Sequence, residues 1–182
     1  MREIKQIRLS GLGGQGIILA GALLGQAGVI EGRHIAGSNS YGAQARGSAC
    51  TSEIVFADSP IDYPLLITTD ILVVMSQGAY DIYFGEVREP SGLILYDNSL
   101  LKPRKELNLK QVGVPATEYA VKRLKNKQVA NIVILGALVE TAKIVSQNAV
   151  QKAIALHVSE RFRNLNLKAL RIGMELGKQI ND

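Results

Sequence analysis

The chain has 182 residues, 47% of them hydrophobic and 20% charged, with a formal net charge of +5 and a sequence pI near 9.4; that length suits one domain with a sizeable core. Its one cysteine, Cys50, excludes an intrachain disulfide and any iron–sulfur or structural zinc site built by this chain alone. Aromatic residues make up only 5%, and the basic excess is dispersed. Its one loose cluster, Lys122, Arg123, Lys125 and Lys127, reads as a solvated helix end, so no nucleic-acid partner is expected.

The start, Met1-Arg2-Glu3-Ile4-Lys5, has no apolar run behind its basic residue. No signal peptide is therefore expected, and the chain reads as cytoplasmic. Ile4 to Ser10 alternates apolar and polar residues, as a strand does. Leu9 to Ile30 carries no charge for 22 positions, but its first third is Gly, Ser and Gln. That is too short an apolar stretch for a membrane span, and a helix from Ile17 buried against a sheet fits better. Gly21, Gly25 and Gly28 along it imply close packing against a strand, because each costs about 1 kcal/mol relative to alanine. His34 to Gly37 reads as a second strand completing a β-α-β unit, and Ser38 to Gly47 as a polar loop.

Ser48 to Ala57 alternates as a strand, and Asp58-Ser59-Pro60 is a turn. Pro60 and Pro64 bracket a stiff connection. Ile71 to Met75 and Gly92 to Tyr96 are continuous apolar runs of strand length, as expected of interior parallel strands, and Leu107 to Val114 is a third. Four helical patterns follow: Ala116–Leu124, Val129–Lys143, Gln147–Val158 and Leu167–Ile180. The expected fold is α/β, a single Rossmann-like three-layer domain over residues 1–182 with a mostly parallel sheet and a helix-rich last third.

Gly11-Leu12-Gly13-Gly14-Gln15-Gly16 stands between the first strand and the first helix, the context of a phosphate-binding turn. It is not a Walker A loop, because no Lys-Ser/Thr pair follows the glycines. A dinucleotide reading requires an acidic residue at the end of the second strand. Ser38-Asn39-Ser40 stands there, and Glu31 falls too early. That points away from a nicotinamide cofactor and towards a ligand held by neutral polar groups; tight packing with no ligand is the other reading. Tyr41-Gly42, followed by Arg46-Gly47-Ser48, would face the same crevice, with Arg46 able to clamp a phosphate or carboxylate or else to pin its own loop. Cys50 reads as a buried structural thiol, and Asp70 and Asp97-Asn98 as helix and turn caps, lining of the crevice being their other reading. His34 and His157 have no metal-ligand spacing, and no nucleophilic triad is recognisable, so neither a metal nor a catalytic residue is expected.

The ordered series Gly11-Leu12-Gly13-Gly14-Gln15-Gly16, Tyr41-Gly42 with Arg46-Gly47, Ser59-Pro60-Ile61-Asp62-Tyr63-Pro64, and Thr69-Asp70 before the apolar run resembles the gamma subunit of the pyruvate/2-oxoglutarate (2-oxoacid):ferredoxin oxidoreductase family. Asn131-Ile132-Val133-Ile134-Leu135-Gly136 fits it too, so the resemblance covers essentially the whole chain. It implies a subunit, inactive alone, of a complex that oxidatively decarboxylates a 2-oxoacid to an acyl-CoA and reduces ferredoxin. No cofactor would be bound by this chain alone. In the complex, coenzyme A, thiamine diphosphate with magnesium, and iron–sulfur clusters on partner subunits are implied. The implied partners are thiamine-binding alpha and beta subunits, a ferredoxin-like delta subunit, and ferredoxin; the isolated chain could pair as a homodimer.

Carried onto this sequence, the resemblance sets Gly11, Gly13, Gly14, Gln15 and Gly16, with Ser38 and Asn39, nearest the CoA phosphates. Tyr41, Arg46 and Gly47 would shape the face towards the thiamine site. No lysine in the Ser38 loop is available to pair a phosphate. The substrate expectation is 2-oxoglutarate, ahead of pyruvate and branched-chain acids. The alternatives from the residues themselves are a free-standing nucleotide- or NAD-binding Rossmann protein and a non-catalytic interaction module.

Overall fold

The computed structural model describes residues 4–42, 48–105 and 108–181. Six strands form one sheet: β1 (Ile4–Leu12), β2 (His34–Tyr41), β3 (Ala49–Ala57), β4 (Ile71–Val74), β5 (Leu93–Asp97) and β6 (Lys110–Val114), in the order β2-β3-β1-β4-β5-β6. The helices are α1 (Ile17–Ile30), α2 (Gln77–Tyr83), α3 (Ala116–Leu124), α4 (Ala130–Ala142), α5 (Gln147–His157) and α6 (Glu160–Asn181). β1, β4, β5 and β6 pair parallel to one another, and β3 alone runs the other way, antiparallel to both β1 and β2. The expected α/β three-layer fold with a mostly parallel sheet is the fold observed.

The short continuous apolar runs are buried on both faces, as a parallel sheet requires. Along β4, Ile71 and Val73 join the core under α1 and α4, while Leu72 and Val74 face Tyr80 of α2. α1 packs on β3 and β2 through its glycines. A Cβ on Gly21 would lie 2.1 Å from the Ser52 hydroxyl, and one on Gly28 2.5 Å from Ile35. α6 docks on α4 equally closely, since a Cβ on Gly173 would lie 1.9 Å from the Val133 carbonyl oxygen. No helix among the described residues is long and apolar enough to cross a membrane.

Several boundaries differ from the sequence expectation. β2 continues past Gly37 through Tyr41, so Ser38 and Asn39 belong to a strand and not to a strand-end loop. They pair with Glu53 and Ser52 of β3, and their polarity is tolerated because β2 is an edge strand with one side open. β1-α1-β2 is not a closed β-α-β unit either. β3 turns back from β2 and inserts between the two parallel strands. α2 was not expected; its local signal is Ser76, whose hydroxyl accepts from Ala79 N–H as an N-cap. α6 begins at Glu160 and not at Leu167, and β6 at Lys110, with Leu107 outside the described residues.

Candidate functional site

At the carboxyl end of β1 the chain leaves the sheet through Gly13 and Gly14 and enters α1 at Gly16. Gly14 (φ 97°) and Gly16 (φ 74°) occupy backbone conformations that favour glycine. Gln15 clamps the turn with both ends of its amide. Its Oε1 accepts from Leu12 N–H at 2.6 Å, and its Nε2 donates to the Met75 carbonyl at 2.7 Å, tying β1 to the end of β4. Gly13 N–H donates to the Ser48 carbonyl at 2.9 Å, and Gln15 N–H to the Leu12 carbonyl at 3.0 Å. Those groups therefore hold the turn in shape and are not free to cradle a ligand.

The turn forms one wall of a cleft of about 350 Å³, lined also by Met75, Thr117, Lys127, Gln128 and Ala130. This is the crevice beyond the carboxyl ends of β1 and β4, where the sheet order reverses and α/β sheets bind ligands. Three helices begin there. α1 starts at the turn, Thr117 lies in the first turn of α3, and Ala130 opens α4 after a 3-10 turn at Lys127–Val129. Helix N-termini carry unpaired N–H groups and a partial positive charge, but that of α3 is already capped, Thr117 N–H donating to Asp97 and Glu118 N–H to Ser99 Oγ. Among the described residues no carboxylate lines the cleft, and the charged residue that does is Lys127. Lys127 is exposed and has no hydrogen-bond or ion-pair partner among the described residues. The arrangement is suited to an anion with several oxygens.

A carboxylate outside the cleft sets its α3 wall. Asp97, fully buried at the end of β5, accepts from Thr117 N–H at 2.9 Å and the Thr117 hydroxyl at 2.6 Å, and through its other oxygen from Ser99 N–H at 3.0 Å. Replacing Asp97 with asparagine sets a donor amide against one of these donors. It is expected to cost about 2 kcal/mol, measured by urea denaturation; an unchanged midpoint would count against this role. Asp70 is structural likewise, accepting from Gln6 N–H at 2.8 Å and lying 3.2 Å from Arg88 Nε. Burial pushes the Cys50 thiol pKa up, as befits an inert core thiol.

Of the residues singled out from the sequence, Gly13, Gly14 and Gln15 line the cleft. Gly11 is inside β1, where a Cβ would lie 2.5 Å from Gln15 Oε1, and Gly16 is the N-cap of α1. Ser38 and Asn39 do not join the cleft. The Ser38 hydroxyl donates to the Glu53 carboxylate, which also pairs with Arg8, and Asn39 lies opposite Ser52 within the sheet. Tyr41 ends β2, is 68% exposed and lies opposite Cys50, at the same end of the sheet as the glycine turn. Arg46 and Gly47 lie outside the described residues. Lys127, Gln128 and Thr117 were missed. From the sequence Lys127 reads as part of a solvated helix end, although its position just before Asn131-Ile132-Val133-Ile134-Leu135-Gly136, a motif of the resemblance, is a signal.

The family model described as pyruvate ferredoxin/flavodoxin oxidoreductase matches residues 6–176 of this chain. A 2-oxoglutarate synthase subunit KorC of Methanocaldococcus jannaschii is 43% identical over 179 residues, covering 97% of this chain and 95% of its own. The crystal structure of the keto/oxoacid ferredoxin oxidoreductase gamma subunit from Geobacter sulfurreducens superposes with a TM-score of 0.87 at 35% identity, over 98% of both chains. The 2-oxoglutarate:ferredoxin oxidoreductase from Magnetococcus marinus, solved with 2-oxoglutarate, coenzyme A and succinyl-CoA bound, shares the fold. Its TM-score is 0.88 at 22% identity, over 97% of this chain and 31% of that one.

Proposed function

The chain belongs to the pyruvate ferredoxin/flavodoxin oxidoreductase family, as a gamma-type subunit, and from that premise we propose that it serves a 2-oxoglutarate:ferredoxin oxidoreductase by holding the phosphates of coenzyme A. The complex would convert 2-oxoglutarate, CoA and two oxidised ferredoxins into succinyl-CoA, carbon dioxide, two reduced ferredoxins and a proton. Residues 1–182 act as one domain in a cytoplasmic assembly. CoA supplies the thiol that receives the acyl group, and this chain's part is to bind and orient its anionic end. The observation that carries the reading is the cleft where three helices begin and where, among the described residues, no carboxylate lines the wall and Lys127 has no partner.

The similarity to a 2-oxoglutarate synthase subunit supports the choice of oxoacid. Thiamine diphosphate with magnesium and the iron–sulfur clusters belong to the partner alpha, beta and delta subunits, because one buried cysteine cannot ligate a cluster. Within the cleft, Gly14 lets a phosphate approach the backbone, and Lys127 neutralises it.

Reconstitution tests the reading. The chain co-expressed with thiamine-binding and ferredoxin-like subunits is expected to give CoA- and 2-oxoglutarate-dependent ferredoxin reduction, lost when this chain is omitted. A lone chain that reduces NAD, or a complex equally active without it, would overturn the assignment.

A further inference from the structure

The Ser59-Pro60-Ile61-Asp62-Tyr63-Pro64 motif lies at the other end of β1 from the glycine cleft, beside Ile4 and Ala57. Residues 58–68 form neither helix nor strand, yet they are held in place. The buried Gln6 of β1 accepts through Oε1 from Ile67 N–H at 2.6 Å and from Thr68 N–H at 3.4 Å, and its own backbone N–H donates to Asp70 at 2.8 Å. Pro60 and Pro64 fix two further backbone angles. The strap pinned in this way turns apolar side chains outward. Ile67 is 78% exposed, and Tyr63, Leu65 and the adjacent Ile4 are each about half exposed. All four line one groove of about 190 Å³. Together they leave on the order of 400 Å² of apolar surface to water, a patch of the size that marks an interaction site. That is close to the apolar share of one partner's side of a standard interface.

Because the strap is already ordered, a partner that covers it spares the cost of fixing a loop. Among the described residues, the charged group lining the groove is Asp62, which is exposed and has no hydrogen-bond or ion-pair partner. A second copy of the chain would bring the same carboxylate and no cation from the groove, so the patch is not self-complementary. Relatives indicate what covers it. The KorC relative of Methanocaldococcus jannaschii is matched over 95% of its length, so there the domain is a subunit by itself. The ketoisovalerate oxidoreductase subunit VorA of Methanothermobacter marburgensis is 32% identical over 98% of this chain, but is matched over only 37% of its own length. What VorA carries within one chain, a KorC-type subunit must hold through a surface. We propose that the strap is that surface, docking this chain onto the oxidoreductase subunit equivalent to the rest of VorA. Such a partner presents apolar side chains to Leu65 and Ile67 and a lysine or arginine to Asp62. The proposal rests on the oxidoreductase reading above.

The test is association of the full chain with the purified remaining subunits of its oxidoreductase, by isothermal titration, with thermal melting of the lone chain alongside. Ile67→Asp puts a charge into a contact that must be desolvated. It is expected to weaken association about a hundredfold and, at so exposed a position, to leave the melting temperature unchanged. Tyr63→Ala should weaken association about tenfold, and Asp62→Lys should slow it, most at low salt. Leu156→Asp, at a 69% exposed position on α5, is the control and should bind as the unaltered chain does. Equal affinity for the unaltered, Ile67→Asp and Tyr63→Ala chains would overturn the docking surface and leave the oxidoreductase reading standing. If the unaltered chain bound none of those subunits, both would fall. A lone chain that dimerised, and became monomeric on Ile67→Asp, would also overturn the proposal by giving the patch to a second copy.

Discussion

Replacing Gly16 with valine is expected to destabilise the protein by about 3 kcal/mol, as the sum of two costs. Gly16 holds φ 74° and ψ 27° as the N-cap of α1, a conformation that costs an L-residue about 1–2 kcal/mol and a β-branched one more. A Cβ there would also lie 2.3 Å from Asn131 Nδ2, the atom that donates to the Gly16 carbonyl at 2.9 Å. Asn131 is 2% exposed, so displacing it leaves a buried amide without its acceptor, at about 1–3 kcal/mol. For a chain of this size the sum corresponds to a fall in Tm of about 10 °C. Gly14→Ala is the internal control. Its φ of 97° is strained for alanine, but a Cβ there has nothing within 4 Å, so its cost is expected to stay near 1 kcal/mol. Equal losses for the two variants in thermal melts would refute the role given to the Gly16–Asn131 contact.

Reversing the charge of Lys127 is expected to raise the KM for CoA about a hundredfold in the reconstituted complex while leaving the melting temperature unchanged. Hydrogen bonds to charged groups contribute about 1.5–3 kcal/mol, and each 1.4 kcal/mol is a factor of ten. Lys127→Gln removes the attraction without adding repulsion and should cost about tenfold. Stability should be indifferent, because Lys127 is exposed and unpaired among the described residues. The measurement is the CoA dependence of ferredoxin reduction at fixed oxoacid. A KM shared with the unmodified complex would remove Lys127 from the site, and a lowered Tm would reassign it to packing.

These two positions also mark how far the sequence could be read. The glycine turn, the helix behind it, the apolar run of β4 and the α4 pattern are legible because each is fixed by neighbours a few residues away: turn conformation, periodicity, burial of a continuous strand. The family was legible from the ordered motifs for the same reason. Ser38 and Asn39 misled. A short polar stretch after an apolar strand looks like a loop, and only the pairing with Glu53 and Ser52 shows an edge strand.

What the sequence determined by itself was the α/β class, the glycine turn and the family, all written in local pattern. The tertiary structure alone decided that β3 separates β1 from β2, that Gln15 and Gly13 are occupied in holding the turn, and that Lys127, Gln128 and Thr117 face that turn. Gly14 and Lys127 lie more than a hundred residues apart along the chain, and no local propensity links them. They meet because the burial of α4 between α6 and α1 fixes where its N-terminus must emerge. That emergence makes the glycine motif one wall of a cleft that Lys127 also lines.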